Sequence, residues 1–427
     1  MKKLIIVCSI LGLIGLFAFI HNSGQENPVP DSLADCVNTP GTLPPSTDST
    51  IIKFRGAMLA FQATLSPKLL KSAVACLDDP ALTEWSNLPA SINKRDGINY
   101  GQLNDLQMKL FRDLLSLFLS ANGYQKVHEI TVLAENILHG QRARFWDPDK
   151  YYIRLFGDPV TSGSWGFQLD GHHCAVNFLV HGDKVSMVPA FLGSEPVKGS
   201  FDGKDFDVFL EERTLALELY QGFSENEHFQ AVSDGSAAQM VVGPPERGPD
   251  KYGGSYDYTQ FATGLVYPEM SISTQEKLKQ LMKVFVYNLH TEFADKWWQD
   301  VMENIDETYF VWVDRVDTPS PETPFYFRIY NPYLWVEYNT EPPVARGIEE
   351  WNHAHTITRI PNNPDTKDGG DYGIFAERIN QGGMRTLYEH YVSASHHESS
   401  EMLFDYQVDR KASPQHKHKH SHPHGMR

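Results

Sequence analysis

Cysteine is scarce in this chain, with four in 427 residues. That excludes a disulfide-stapled scaffold and leaves the core to apolar packing. Positive charge is in deficit: 37 Lys and Arg stand against 54 Asp and Glu, a net charge of −17. Nucleic acid and anionic lipid surfaces are therefore not expected partners. The familiar catalytic signatures are missing as well. There is no H-E-x-x-H, no G-x-S-x-G, no phosphate-binding P-loop and no G-x-G-x-x-G, which removes zincins, α/β-hydrolases, P-loop enzymes and dinucleotide-binding folds from the readings. No internal repeat is visible.

What is present is a globular composition, 41% hydrophobic and 12% aromatic, enough for a large core. The chain opens with Lys2 and Lys3 before an uncharged apolar run over residues 4–20. A basic start and an apolar run make an export signal. Residues 1–22 are read as a signal peptide or N-terminal anchor, and the protein as exported: periplasmic, secreted, or held to a membrane only by that segment. Cys8 lies too deep in the run to be a lipoprotein cysteine. In an oxidising compartment Cys36 and Cys76 are the expected pair, because Cys174 sits in a strand beside histidines.

Residues 23–50, rich in Pro, Ser, Thr, Asn and Asp, read as a linker. Residues 51–394 read as a single large α+β domain, a helical N-terminal part followed by antiparallel hairpins packed with helices. Helical spacing recurs in "FRGAMLAFQATLSPKLLKSAVACL", broken at Ser66-Pro67, and in "LNDLQMKLFRDLLSLFLSANGY", stopped by Asn-Gly. "KVHEITVLAENIL" and "DFDVFLEERTLALELYQGF" follow, then one long helix from a Ser273/Glu276 capping box through "DKWW".

Strand patterns surround "WGFQLDGHHCAVNF". Trp165, Phe167 and Leu169 alternate on odd numbers; Cys174, Val176, Phe178 and Val180 alternate on even ones. The parity switch suggests a bulge at Gly171. A hairpin turns at Gly182-Asp183, and "FYFRIYNPYLWVEYN" is another, turning at Asn331-Pro332 with Arg328 and Glu337 on its arms. In "HAHTITRI", a further strand, His353, His355, Ile357 and Arg359 share one face. Residues 395–427 form a polar tail ending in alternating histidines, a metal-binding tract by composition.

Chemistry concentrates in this distributed set. His353 and His355 are spaced to chelate one ion, Glu337 can add a carboxylate, and His172 or His173 a third imidazole. Such a set suits Zn, Cu, Fe or Mn. His173 is the better ligand, because His172 shares its parity with the core residues. Arg328 and Arg359 can bind a substrate carboxylate or phosphate, an Arg–Glu337 ion pair being the competing reading. Asp371, in "GGDYG", can serve as acid, base or histidine partner. The reading that follows is an exported metal-dependent enzyme acting on a small-molecule or peptide substrate, a hydrolase before a Cu or Fe oxidoreductase. The alternatives are a cell-envelope metal-binding protein without catalysis and a metal-free His/Glu/Arg acid–base site.

The same residues carry a resemblance. "WGFQLDGHH", "FYFRIYNPYLWVEY", "HAHTITR" and "DYG", in that order, resemble domain-of-unknown-function family 3500, over about residues 54–392. Its members are mostly exported proteins of bacteria and fungi, and the resemblance implies no reaction. It singles out Trp165, Gly171, His172, His173, Arg328, Glu337, His353, His355, Arg359, Asp371 and Tyr372. Cys174 stands where the family pattern has an aliphatic residue.

Overall fold

The computed structural model describes residues 43–77, 79, 85–233, 261–314, 316 and 318–361. The N-terminal segment, Cys36, Asp371, Tyr372 and the histidine tail lie outside them. The first helix begins inside the expected linker: Asp48 accepts from the Thr50 and Ile51 amides and opens α1 (Ser49–Gln62). Ser66 caps α2 (Pro67–Ala73), so the break falls at Ser66-Pro67 as expected. α3 (Asp105–Phe118) ends before Asn122-Gly123. Ser120 accepts from the Gly123 amide and starts α4 (Ala121–His128), so the expected Asn-Gly stop lies inside a helix. A π-helical turn (Glu129–Ala134) joins α4 to α5 (Glu135–Arg142).

A small hairpin, β8 (Lys198–Phe201) and β9 (Lys204–Asp207), takes the first residues of the next expected helix, which starts later as α6 (Leu210–Gln221). α7 (Glu225–Ala231) follows. The long helix expected from residue 273 is two: α8 (Ile272–Val286), capped by Ser271, and α9 (Thr291–Glu303). Among the described residues no helix is long and apolar enough to cross a membrane.

Among the described residues the helices pack on a mixed, twelve-stranded sheet, so the class is α+β. Its strands are β1 (Val74–Ala75), β2 (Ile98–Asn99), β3 (Tyr152–Phe156), β4 (Ser164–Gly171), β5 (Cys174–His181), β6 (Lys184–Ser186), β7 (Ala190–Ser194), β10 (Leu265–Val266), β11 (Tyr309–Asp314), β12 (Phe325–Asn331), β13 (Leu334–Thr340) and β14 (Ala354–Arg359). The order is β1-β3-β4-β5-β7-β14-β13-β12-β11-β10, with β2 on β3 and β6 on β5. Among the described strands, β1 and β3 are the pair that runs parallel.

The expected bulge at Gly171 is absent. Gly171 pairs regularly with Cys174, and His172-His173 form a two-residue turn. A hairpin with an even loop joins an odd residue to an even one, so the parity switch belongs to the turn. The hairpins at Gly182-Asp183 and after Asn331 are as expected.

No repeat is visible in the sequence, but among the described residues the structure contains two like halves. α1, α2, β2, α3, α4, β3, β4, β5 and β7 correspond in order to α6, α7, β10, α8, α9, β11, β12, β13 and β14. Contacts correspond too. Ile98 faces Ile153 as Leu265 faces Phe310, and the parallel Val74–Leu155 pair matches a Val232–Trp312 bridge. Gly97 and Gly264, at φ +105° and +97°, precede the matching strands. Phe118 packs on Phe167 as Phe285 packs on Phe327. At the seam the Ser120 amide donates to the Asn288 carbonyl, and the His290 amide to the Phe118 carbonyl, at 2.9 and 2.8 Å. Such reciprocity is the mark of an isologous, two-fold contact.

The helices cover the sheet face that carries Phe167, Phe178, Phe327 and Tyr338, the main core. The opposite face carries Ala175, Phe191, Tyr330, Trp335 and Ile357, which with Trp85 make a second cluster. Strands β12, β13 and β14 are thus buried on both faces.

Candidate metal centre

Three imidazoles converge on this second face. β7 and β14 pair at the middle of the sheet, Gly193 opposite His355. His353 and His355 stand two residues apart on one face of the chain entering β14. His173, in the β4–β5 turn, reaches the same point because its carbonyl accepts from the Gly193 amide at 2.7 Å. Its φ is +60°, the left-handed region that a non-glycine residue adopts at a cost of roughly 1 kcal/mol or more. The turn is held in place by the His173 amide donating to the Asn87 carbonyl and by Tyr151 Oη donating to the His172 carbonyl. Gly193 makes the approach possible: a Cβ there would lie 2.5 Å from His355 Cδ2.

The three are buried, and one nitrogen from each can serve a single ion, all within 4.8 Å of one another. His353 Nε2 is 3.3 Å from His173 Nε2 and 3.1 Å from His355 Nε2. Two nitrogens bound to one tetrahedral ion at about 2.0–2.1 Å would stand roughly 3.3 Å apart. The opposite side of each strand imidazole is occupied. His353 Nδ1 is 3.0 Å from the Pro342 carbonyl. A carbonyl only accepts, so in the neutral ring Nδ1 carries the proton and Nε2 presents its lone pair. His355 Nδ1 lies 3.1 Å from Glu341 Oε1, an ion-pair distance although poorly aligned for a hydrogen bond.

Burial, reinforced by His172, His355 and His353, holds the His173 pKa well below the ordinary value. Burial also lowers that of His353, against the opposing pull of Glu195 and Glu341. For Glu341, burial works upward, but the His355 ring and its hydrogen bonds leave the carboxyl below the usual range. The lowered values of His173 and His353 favour the neutral imidazole, the form that binds a metal.

His172 and Glu337 do not belong to this trio. His172 stacks on His173, centroids 3.7 Å apart, and its Nδ1 is 2.7 Å from Glu135 Oε2. Glu135 directly follows the π-helical turn, a deviation frequent beside functional sites. Both residues line a cavity of about 170 Å³ with Arg144, Asp147 and Lys150. Glu337 accepts from Tyr326 Oη and Trp335 Nε1, both at 2.9 Å. Arg328 faces Glu337 across the register and Arg359 lies one step along the same face. Cys174 is free and buried in the main core, and Cys76 is disulfide-bonded. Sequence reading missed Glu341 and Glu195. "NTEPP" gives no signal for the first, whose place depends on the β13–β14 register. Glu195 accepts from the Val344 and Ala345 amides at 2.7 and 2.6 Å, fixing the segment that holds Pro342.

Fold and site together define an α+β protein with a buried three-histidine group able to hold a metal ion. The chain belongs to the family described as "Protein of unknown function (DUF3500)", whose model matches residues 47–373. No curated protein and no solved structure matches it.

Proposed function

We propose that the protein is a metal-dependent enzyme, with hydrolysis the favoured reaction, and that His173, His353 and His355 hold a first-row transition ion through Nε2. The observation that carries this reading is the spacing of three buried nitrogens, 3.1 and 3.3 Å, with one outer nitrogen facing a carbonyl and another a carboxylate. Three protein ligands leave a coordination position for water or substrate, the arrangement of catalytic rather than structural sites. A cavity lined by Glu135 and His172, whose ring stacks on that of His173, supports an enzyme over a storage protein, which needs no pocket. Of its two carboxylates, Glu135 and Asp147, Glu135 is the candidate for proton transfer, because it is hydrogen-bonded to the His172 ring. The same three ligands suit zinc, iron, manganese or copper. Export through residues 1–22 is part of the reading and rests on Lys2, Lys3 and the apolar run that follows.

The test is metal analysis of purified protein lacking residues 414–427, so that the histidine tail does not contribute. One equivalent of metal is expected. His173→Ala, His353→Ala and His355→Ala should each lose most of it, whereas His172→Ala should chiefly lower the melting temperature. Retention of full metal content by two of the three ligand variants would sink the assignment.

A further inference from the structure

Beyond the metal group, the same face of the sheet carries charge in an apolar setting. Arg359 is 2% exposed, and its Nε and Nη1 have no hydrogen-bond partner among the described residues. Its guanidinium lies 5.5 Å from the Trp85 ring. Arg328, 5% exposed, lies 5.0 Å from the Phe261 ring and 5.7 Å from that of Trp335, and donates to Thr263 Oγ1 at 3.2 Å. Glu337 stands between the two arginines in the strand register. These three residues leave one positive charge on an aromatic face. An unpaired buried guanidinium is expensive, because each desolvated N–H forfeits its bond to water. Other buried cations here are matched: Lys126 by Glu212, Arg95 by Asp170, Arg213 by Asp207.

We propose that Arg359 is the anchor of a carboxylate-binding site, with Arg328 beside it, that accepts an organic monoanion whose apolar part lies on Trp85, Phe261 and Trp335. The charge count favours one negative charge, and the aromatic walls favour a carboxylate on an apolar body over a strongly hydrated phosphate. Arg359 is four strand residues beyond His355 on the same face, roughly 13 Å along the chain. Ile357 lies between them on β14 and pairs with Phe191 of β7. As a subsite this rests on the metal-enzyme reading: the substrate would be an amphipathic carboxylic acid, anchored at Arg359, with its reacting bond toward the histidines. The carboxylate site itself needs no metal.

The experiment is calorimetric titration of the full-length protein with benzoate, hexanoate and inorganic phosphate. Saturable binding of the two carboxylates is expected, with phosphate weaker. Arg359→Gln should weaken carboxylate binding by about tenfold or more, the loss of one charge-assisted contact, and Arg359→Lys should recover part of it. Both should keep bound metal, which certifies the fold. His355→Ala should lose metal and still bind benzoate. If neither carboxylate binds saturably, or if Arg359→Gln binds as wild type, the site is not there. Arg359-dependent binding in a protein that holds no metal would overturn the metal reading and leave the carboxylate site standing.

Discussion

Gly193 has no side chain, and the metal group depends on it. Since a Cβ would meet the His355 ring at 2.5 Å, Gly193→Ala must push that ring away from His173 and His353. Metal affinity should fall by about 10–100-fold, as when a supporting residue of a metal site is altered, while the chain stays folded; competition against a chromophoric chelator would measure it. Wild-type affinity in this variant would show that His355 is not positioned as described. At this scale the sequence told part of the story. The H-x-H spacing places two rings on one strand face whatever the fold, but strand parity does not decide between His172 and His173, because both lie in the turn. It could not show that Glu337 would be engaged by Tyr326 and Trp335, or that Glu341 would reach His355. Those contacts depend on which strands are neighbours and in what register, and no local spacing records that.

Helix ends provide the tests at the next scale. Glu227 closes a capping box with Ser224 at the start of α7 and also accepts from the Ser271 amide at the start of α8. Burial alone would raise its pKa, but these hydrogen bonds outweigh it and bring it to about 2, from an ordinary 4.5. The group is depressed in the folded state. Its contribution is therefore complete above about pH 4.5 and is lost as the pH falls toward 2. Glu227→Gln should cost about 1–2 kcal/mol at pH 7, and the gap from wild type should narrow on acidification, read from urea midpoints at several pH values. A gap that widens in acid would contradict the hydrogen bonding. Lys126 of α4 donates to Glu212 of α6 at 2.6 Å and to Asn288 Oδ1, the pair almost fully buried. Lys126→Met leaves Glu212 charged and unpaired, and a loss of about 3–5 kcal/mol is expected. Element types were legible from periodicity and caps. Their breaks were not, because Ser120, rather than Asn122-Gly123, decides where one helix ends and the next begins.

For the whole molecule, removing residues 414–427 should reduce total nickel or copper uptake and leave the melting temperature and the tightly bound metal unchanged. Loss of the tight metal would place the tail within the site. The internal likeness of the two halves escaped the sequence because it lives in contacts more than in letters: Phe118 and Phe285 match, but the His172-His173 turn corresponds to Pro332-Tyr333. That likeness has a consequence. The two modules meet along the antiparallel β7–β14 pair. The three histidines straddle it, His173 from one module and His353 and His355 from the other. Chains carrying residues 1–233 and 261–427, made together, should therefore reassemble along that seam and recover one metal ion, while either chain alone should hold none at this site.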